Sequence, residues 1–270
     1  EKVSNPEKAY DILKDFLSEN YSPALYAKAK LLENDDKEEE AVQIYNQVFS
    51  QNKYYLAAFE LASRLVKGEK NYDLALKILD DTNSDEVLIL GYKGFIYENL
   101  KDFTKAEEFY QRAANKNDID SMNYLGRLYE TQKEIKKARN IYNKAYSLGS
   151  ISAGYKLAYI LEDMETSKNP AKAEEVGIKQ SKEAKKILER LANSGDDYSM
   201  VDLSLYYPET DKMVRILNLK AAAKLNTTAF YNLGVHYYNK KNKQKSKFYF
   251  KVAKENGYDI GEIFDAYLTN

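Results

Sequence analysis

A period of about 32 residues runs through the chain and constrains its fold more than any other feature. With one small residue per period taken as position zero, the series is Ala29, Ala62, Gly94, Gly126, Ala158, Ser204, Gly234 and Ala266. Five positions earlier the residue is nearly always small, and three positions later it is nearly always large. This self-similarity predicts a repeat protein in which each unit buries its apolar face against its neighbours.

A second series of mostly small residues follows position zero by about twelve residues in most repeats. Each of these small residues and the bulky residues after it have the spacing of one stripe of an amphipathic helix. The series runs Ala9, Ala41, Ala75, Ala106, Ala138, Ala184, Val214 and Ser246. Four positions further on stands a bulky residue in most repeats: Leu13, Tyr45, Leu79, Tyr110, Tyr142, Leu188 and Phe250, with Asn218 as the exception. Each period therefore predicts two helices. We expect the second to end at Asn20, Asn52, Asn117, Gly149, Gly195 or Gly257, because Asn and Gly tolerate left-handed backbone.

Two segments carry a resemblance to a known family. They are Tyr124-Leu125-Gly126-Arg127-Leu128-Tyr129 and Asn232-Leu233-Gly234-Val235-His236-Tyr237, each followed by the second series. At these residues the chain resembles the tetratricopeptide (TPR) family and its Sel-like relatives, although it has no Trp and mostly lacks Pro at the unit junctions. The resemblance implies an all-α fold, a right-handed α-solenoid of antiparallel helix pairs.

The period predicts a single solenoid over residues 1–270, with about seven full repeats and a half repeat at each end. The predicted boundaries are a half repeat over 1–20, repeats over 21–52, 53–86, 87–117, 118–149, 150–195, 196–226 and 227–257, and a terminal helix over 258–270. The sixth segment holds an insertion over 163–181. It predicts one long second helix from Asn169 to Asn193, and the alternative is a break near Gly177, because Gly weakens a helix interior. The insertion is either a tolerated lengthening or a projecting docking element. Pro208 is expected to end the next first helix early.

Composition excludes most catalytic chemistry. The chain has no cysteine and one histidine, His236, so thiol nucleophiles, disulfides and multi-histidine zinc sites are excluded. No Gly-rich phosphate loop is present. Gly and Pro are scarce, 11 and 4 of 270 residues, which argues against sandwiches, propellers and Gly-rich nucleotide folds. The sequence therefore predicts a protein that is not an enzyme and uses no cofactor or metal.

The resemblance also suggests where a partner binds, since the first helix of each unit lines the concave face of TPR-like solenoids. Projected onto this sequence, that face predicts aromatic contacts beside a carboxylate ladder that favours basic partners. The predicted groove residues are Tyr92, Phe95, Glu98, Tyr124, Arg127, Glu130, Tyr155, Tyr159, Glu162 and Tyr231. We expect charge reversal of the three glutamates to weaken partner capture without unfolding the chain. The alternative is that the chain's 25 tyrosines mostly pack between helices.

The favoured function is a non-enzymatic scaffold that binds a protein or peptide segment in this groove. The resemblance adds bacterial envelope assembly, export or adaptor roles, and favours an exported or envelope location over the cytoplasm. The alternatives are a nucleic-acid-binding helical repeat, a glycan-binding protein, and an enzyme or its accessory domain. A net charge of −1 and the glutamate ladder argue against nucleic acid.

The two ends of the sequence carry opposite charge. An acidic run lies at Asp35–Glu40, and a late turn holds Lys240, Lys241, Lys243, Lys245 and Lys247. Complementary charge and open end faces predict weak, salt-sensitive head-to-tail self-association. The simpler interpretation is a solvated turn, and a third is contact with an anionic membrane or glycan.

Overall fold

A computed structural model describes residues 6–18, 20–168, 170, 179 and 181–269. The described residues form helices joined by short turns, and no strand occurs among them. The chain divides into two compact units, Glu1–Leu128 and Tyr129–Asn270.

The first unit is built from consecutive helices that pack against one another. They are α1 (Pro6–Ser18), α2 (Ser22–Asn34), α3 (Glu38–Asn52), α4 (Tyr55–Arg64), α5 (Tyr72–Asp80), α6 (Val87–Asn99), α7 (Phe103–Asn115) and α8 (Ile119–Thr131), within which the division falls. A π-helical turn, Leu65–Glu69, prolongs α4.

The second unit continues the same arrangement of paired helices. It holds α9 (Ile135–Ser147), α10 (Ile151–Lys168), α11 (Lys182–Asn193), α12 (Asp197–Ser204), α13 (Lys212–Ala222), α14 (Thr227–Asn239), α15 (Lys243–Glu255) and α16 (Gly261–Thr269). The predicted all-α class of packed helix pairs is confirmed within each unit. No described helix combines the length and apolar character that crossing a bilayer requires.

The two sequence series meet at one contact inside a helix pair. A Cβ built on Gly94 would lie 2.6 Å from the ring of Tyr110, and one built on Gly234 would lie 2.6 Å from the ring of Phe250. Both rings are fully buried. The small residue at position zero thus makes room for the large residue of the following helix, which explains why the two series stay in phase.

Polar side chains set where many of the helices begin. Asp102 accepts a hydrogen bond from the Lys105 backbone N–H, and Asn242 accepts one from that of Lys245. The same cap occurs at Asn71, Ser181, Asp196, Asp211 and Asn226. Each cap satisfies a backbone donor that has no partner within its helix.

Left-handed residues close helices at the predicted positions Asn20, Asn117, Gly149, Gly195 and Gly257. Helix α3 ends at Asn52 as predicted, but the left-handed residue is Lys53, one position later, with φ 51°. The expectation that Asn52 itself takes the left-handed conformation is wrong. The turn inside a helix pair is closed in the same way, by residues for which the sequence predicted no left-handed conformation: Asp36, Lys70, Lys101, Lys133 and Lys241.

The predicted long helix from Asn169 to Asn193 is also wrong. The first six residues of the predicted insertion extend α10 to Lys168, and Ser181 is extended (φ −66°, ψ 112°) where it caps α11. Residues 169, 171–178 and 180 lie outside the described residues. The expectation for Pro208 is confirmed, because α12 has only eight residues and ends at Ser204.

Candidate functional site

The first unit contains an open cleft of about 450 Å³ lined by α4 with its π turn, α6 and α8. Its walls are mainly apolar and come from Phe59, Val66, Val87, Leu88, Tyr92, Phe95 and Tyr124. These helices expose the same side because α4, α6 and α8 are first helices of successive repeats. Three predicted groove residues, Tyr92, Phe95 and Tyr124, therefore share one cleft.

The aromatic residues of the cleft hold one another in place. Tyr92 stacks on Phe95 with ring centroids 5.6 Å apart and meets Phe59 edge-on at 5.0 Å. Burial raises the pKa of Tyr92. Packed rings present contact area without a large further loss of side-chain entropy, a property of good binding surfaces.

Tyr124 is the most exposed ring of this group, at 39%. The Tyr124 ring stacks on Tyr110, with ring centroids 5.6 Å apart. The Arg127 guanidinium lies 5.2 Å from the centroid of the Tyr124 ring. Predicted residue Arg127 thus lies beside the cleft and fixes Tyr124.

The depth of the cleft depends on Gly91. A Cβ at this position would lie 2.9 Å from Oγ of Ser121, so α6 and α8 approach too closely there for a side chain. Both residues line the cleft. Their small size keeps its floor open.

Charged groups among the lining residues are Lys67, Asp118 and Asp120. Asp118 caps α8 by accepting a hydrogen bond from the Ser121 backbone N–H at 2.8 Å, and Asp120 is exposed. Two carboxylates and one ammonium leave the lining with an acidic balance.

Glu98 is held by internal partners. The hydroxyl of Tyr110 donates to Glu98 Oε2 at 2.8 Å, and Nη2 of Arg127 donates to Oε1 at 3.0 Å. Burial, followed by the hydrogen bond to Glu98, raises the pKa of Tyr110. This carboxylate therefore serves the packing of α6, α7 and α8 rather than standing free for a ligand.

The other two ladder glutamates lie in the second unit, and each accepts hydrogen bonds there. Glu130 accepts from the Tyr142 hydroxyl at 2.7 Å and pairs with Nζ of Lys156 at 3.3 Å. Glu162 is 8% exposed and accepts from the Ser181 backbone N–H at 2.9 Å and the Tyr206 hydroxyl at 2.6 Å. The ladder is thus part of the internal hydrogen-bond network.

The remaining predicted residues have different surroundings within the second unit. Tyr159 is 64% exposed. Tyr155 is half-buried, and burial, followed by a hydrogen bond to Asp202, raises its pKa. Tyr231 stacks on Tyr258 at 4.9 Å and packs near Phe250, so it is largely a packing residue.

Sequence reasoning missed several cleft residues. Phe59 stands three residues before Ala62, the same register as the predicted Tyr155 and Tyr231, and could have been included. Leu88 and Ser121 lie one helical turn before Tyr92 and Tyr124, so following the helix face back by a turn would have found them. Among the described residues, no group of three or more His, Asp and Glu side chains is placed to hold a metal ion.

A tetratricopeptide-repeat family model matches residues 92–115 and 119–148. The structure is similar to a Sel1 repeat protein from Oxalobacter formigenes (TM-score 0.60, 17% identity, 86% of this chain and 99% of that one). It is similar to the C-terminal part of a TPR repeat-containing protein from Cytophaga hutchinsonii (0.56, 13%, 84% and 93%). It is also similar to pilF of Pseudomonas aeruginosa (0.54, 15%, 78% and 96%). No curated protein matches the chain.

Proposed function

We propose that the chain is a non-enzymatic scaffold that binds a peptide segment in the α4–α6–α8 cleft. The support is the match of a tetratricopeptide-repeat model to residues 92–115 and 119–148 and the similarity of the fold to that of a Sel1 repeat protein. Folds of this kind are generally protein-interaction scaffolds. The observation that carries the proposal is the cleft itself, an exposed apolar surface bordered by packed aromatic rings. Concave apolar surface that remains in contact with water is typical of binding sites.

The proposed partner segment has an apolar or aromatic anchor flanked by basic residues. The anchor matches the walls formed by Tyr92, Phe95 and Tyr124. The flanking charge matches Asp118 and Asp120, since carboxylates at the edge of a cleft favour cationic partners and suppress acidic ones.

Selection of basic partners is assigned to these aspartates rather than to the glutamate ladder. Glu98, Glu130 and Glu162 already accept hydrogen bonds from tyrosines. The expectation that all three can be reversed without unfolding does not fit the burial of Glu162, because an unpaired buried charge is strongly destabilising. Tyr155 and Tyr159 stay as predicted partner contacts of the second unit, and Tyr159 has the exposure to make one.

The test uses a random peptide library displayed on phage and selected on the purified chain. We expect enriched peptides to share an aromatic or large aliphatic residue beside Lys or Arg. The Tyr124→Ala variant should bind such a peptide about tenfold more weakly, because interface tyrosines often contribute more than 1 kcal/mol. Tyr198→Ala is the matched control, as Tyr198 is 65% exposed in the second unit and outside the cleft.

Two results would count against the cleft. One is enrichment of acidic peptides or of peptides without an anchor. The other is equal binding of a selected peptide by wild type, Tyr124→Ala and Tyr198→Ala, provided that thermal unfolding shows the variants folded. If Tyr159→Ala weakens binding while Tyr124→Ala does not, the contact lies in the second unit.

An envelope or export role forms a separate part of the proposal. Its support is the resemblance to Sel-like repeat proteins. Fractionation of cells that express the protein, followed by immunoblotting, tests it: recovery with the envelope fraction is expected, and recovery only in the cytoplasm would contradict it.

A further inference from the structure

The α12–α13 helix pair of the second unit borders a cavity of about 320 Å³. Polar side chains contribute much of its lining, among them Ser204, Glu209, Asn218, Asn232 and His236. In this respect it differs from the apolar cleft of the first unit.

The cavity exists because a large residue is missing from the repeat. In the α6–α7 and α14–α15 pairs a glycine at position zero faces a buried Tyr110 or Phe250. In the α12–α13 pair the corresponding residues are Ser204 and Asn218, which both line the cavity, and Asn218 is shorter than the Tyr or Phe at this position of the other two pairs. Close packing cannot be completed by two short side chains, which leaves a void.

The hydrogen-bonding partner of that large residue is missing as well. In two other pairs the tyrosine hydroxyl donates to a glutamate at the end of the first helix, as Tyr110 does to Glu98 and Tyr142 does to Glu130. Pro208 stands at the glutamate position here, four residues after Ser204, and Glu209 follows it. The carboxylate of Glu209 is part of the cavity lining.

The polar groups of the cavity are only partly satisfied. Asn218 is 1% exposed, donates to the Val214 carbonyl at 2.8 Å and accepts from Asn232 at 3.0 Å. His236 is 5% exposed, and its Nε2 has no hydrogen-bond partner among the described residues. Burial, reinforced by the positive charge of Lys240, lowers the pKa of His236, so the imidazole is neutral at neutral pH. Buried polar atoms without partners are costly and often mark a site that a ligand completes.

We infer that this cavity binds the phenol side chain of a tyrosine supplied by a partner segment. A phenol is the group that Tyr110 and Tyr142 place at this position of their own pairs. The rings of Tyr207 and Tyr231 provide aromatic walls. Oε1 of Glu209 accepts a hydrogen bond from the Asn239 side-chain amide, and Oε2 is the acceptor assigned to the phenol hydroxyl. An anionic ligand is disfavoured because the Glu209 carboxylate, the buried amides and a neutral imidazole do not neutralise it. This site is independent of the cleft proposed above.

The single histidine of the chain makes the inference directly testable by NMR. The imidazole Hε1 resonance of His236 is followed while p-cresol, N-acetyl-tyrosinamide, N-acetyl-phenylalaninamide or 4-methylbenzoate is added to the full chain. We expect the resonance to shift with p-cresol and with N-acetyl-tyrosinamide. The phenylalanine and benzoate probes should bind at least tenfold more weakly.

Two variants separate binding from folding. Asn218→Leu fills the cavity as Leu188 does in the preceding second helix, and it should abolish the p-cresol shift. Glu209→Gln changes an exposed residue and should weaken p-cresol binding at least fivefold with the fold intact. Absence of a shift in the wild-type chain would overturn the inference. So would a shift that survives both variants, equal affinity for the tyrosine and phenylalanine probes, or binding of p-cresol without N-acetyl-tyrosinamide.

Discussion

The α6–α7 and α12–α13 helix pairs occupy the same phase of the repeat but differ at one contact. In the first, Gly94 receives the ring of Tyr110, whose hydroxyl reaches Glu98. In the second, Ser204 and Asn218 leave a cavity. This position of the repeat can therefore serve either stability or binding, depending on whether the residue at the large position fills the space between the helices.

The largest expected effect is a loss of stability when the side chain at the large position of each pair is truncated to alanine. Tyr110→Ala should lower the free energy of unfolding by about 3–4 kcal/mol, since it removes a fully buried ring and leaves a void. Asn218→Ala should cost about 1–2 kcal/mol, because a cavity is already present and two side-chain hydrogen bonds are lost, one to the Val214 carbonyl and one from Asn232. Urea denaturation of both variants measures the difference. Equal losses would show that the two contacts are energetically equivalent.

The next largest effect is expected at Gly94, the small residue that contacts Tyr110 in the α6–α7 pair. Gly94→Val should destabilise the protein by about 2–3 kcal/mol, because its Cβ would overlap the ring of Tyr110. Gly68→Ala is the control, since a Cβ there meets no atom within 4 Å. The midpoint of urea unfolding distinguishes the variants. A Gly94→Val protein as stable as the Gly68→Ala protein would contradict the packing described here.

The smallest effect concerns Glu33, which stands at the ladder position of α2. Burial raises the pKa of Glu33, but hydrogen bonds from Lys30 and Arg64 outweigh it and lower the pKa overall. A carboxylate with a lowered folded-state pKa contributes stability above its unfolded pKa and loses that contribution as pH falls through the folded value. The protein should therefore lose stability in acid.

In the Glu33→Gln variant this acid-dependent loss should be smaller. Thermal unfolding between about pH 6 and pH 3 measures it, a range that spans the ordinary glutamate pKa. The matched variant Asp36→Asn removes an exposed carboxylate of the following turn and should leave the pH dependence close to that of wild type. Identical pH profiles for wild type and Glu33→Gln would show that Glu33 does not cause the loss of stability in acid.

Much of the fold could be predicted from the sequence because its repeats report the same contact several times. The phase of the two series placed Gly94 and Gly234 at the small position and Tyr110 and Phe250 at the large position, and in the structure these residues contact each other. The helix ends that the sequence predicted at glycines are confirmed for the same reason. At Asn52 the helix end was correct but the left-handed residue was not, because Asn is compatible with a last helical turn as well as with left-handed backbone, and Lys53 takes the left-handed conformation instead.

The candidate sites were less predictable. Tyr92, Phe95 and Tyr124 were found from their register, but Phe59, Leu88 and Ser121 belong to the cleft because three helices meet there. The glutamate ladder was visible as a charge pattern. That its members accept hydrogen bonds from tyrosines twelve or more residues away depends on how the second helices lie against the first.

The sequence by itself determined the helical repeat, its phase and the exceptions to it, including Asn218 and Pro208. These follow from side-chain size and backbone freedom, which are local properties repeated along the chain. The tertiary structure decided which aromatic rings remain in contact with water, which carboxylates are neutralised internally, and where two short side chains leave a cavity. Those outcomes depend on packing between helices, since burial and hydrogen bonding are properties of neighbours that sequence spacing does not specify.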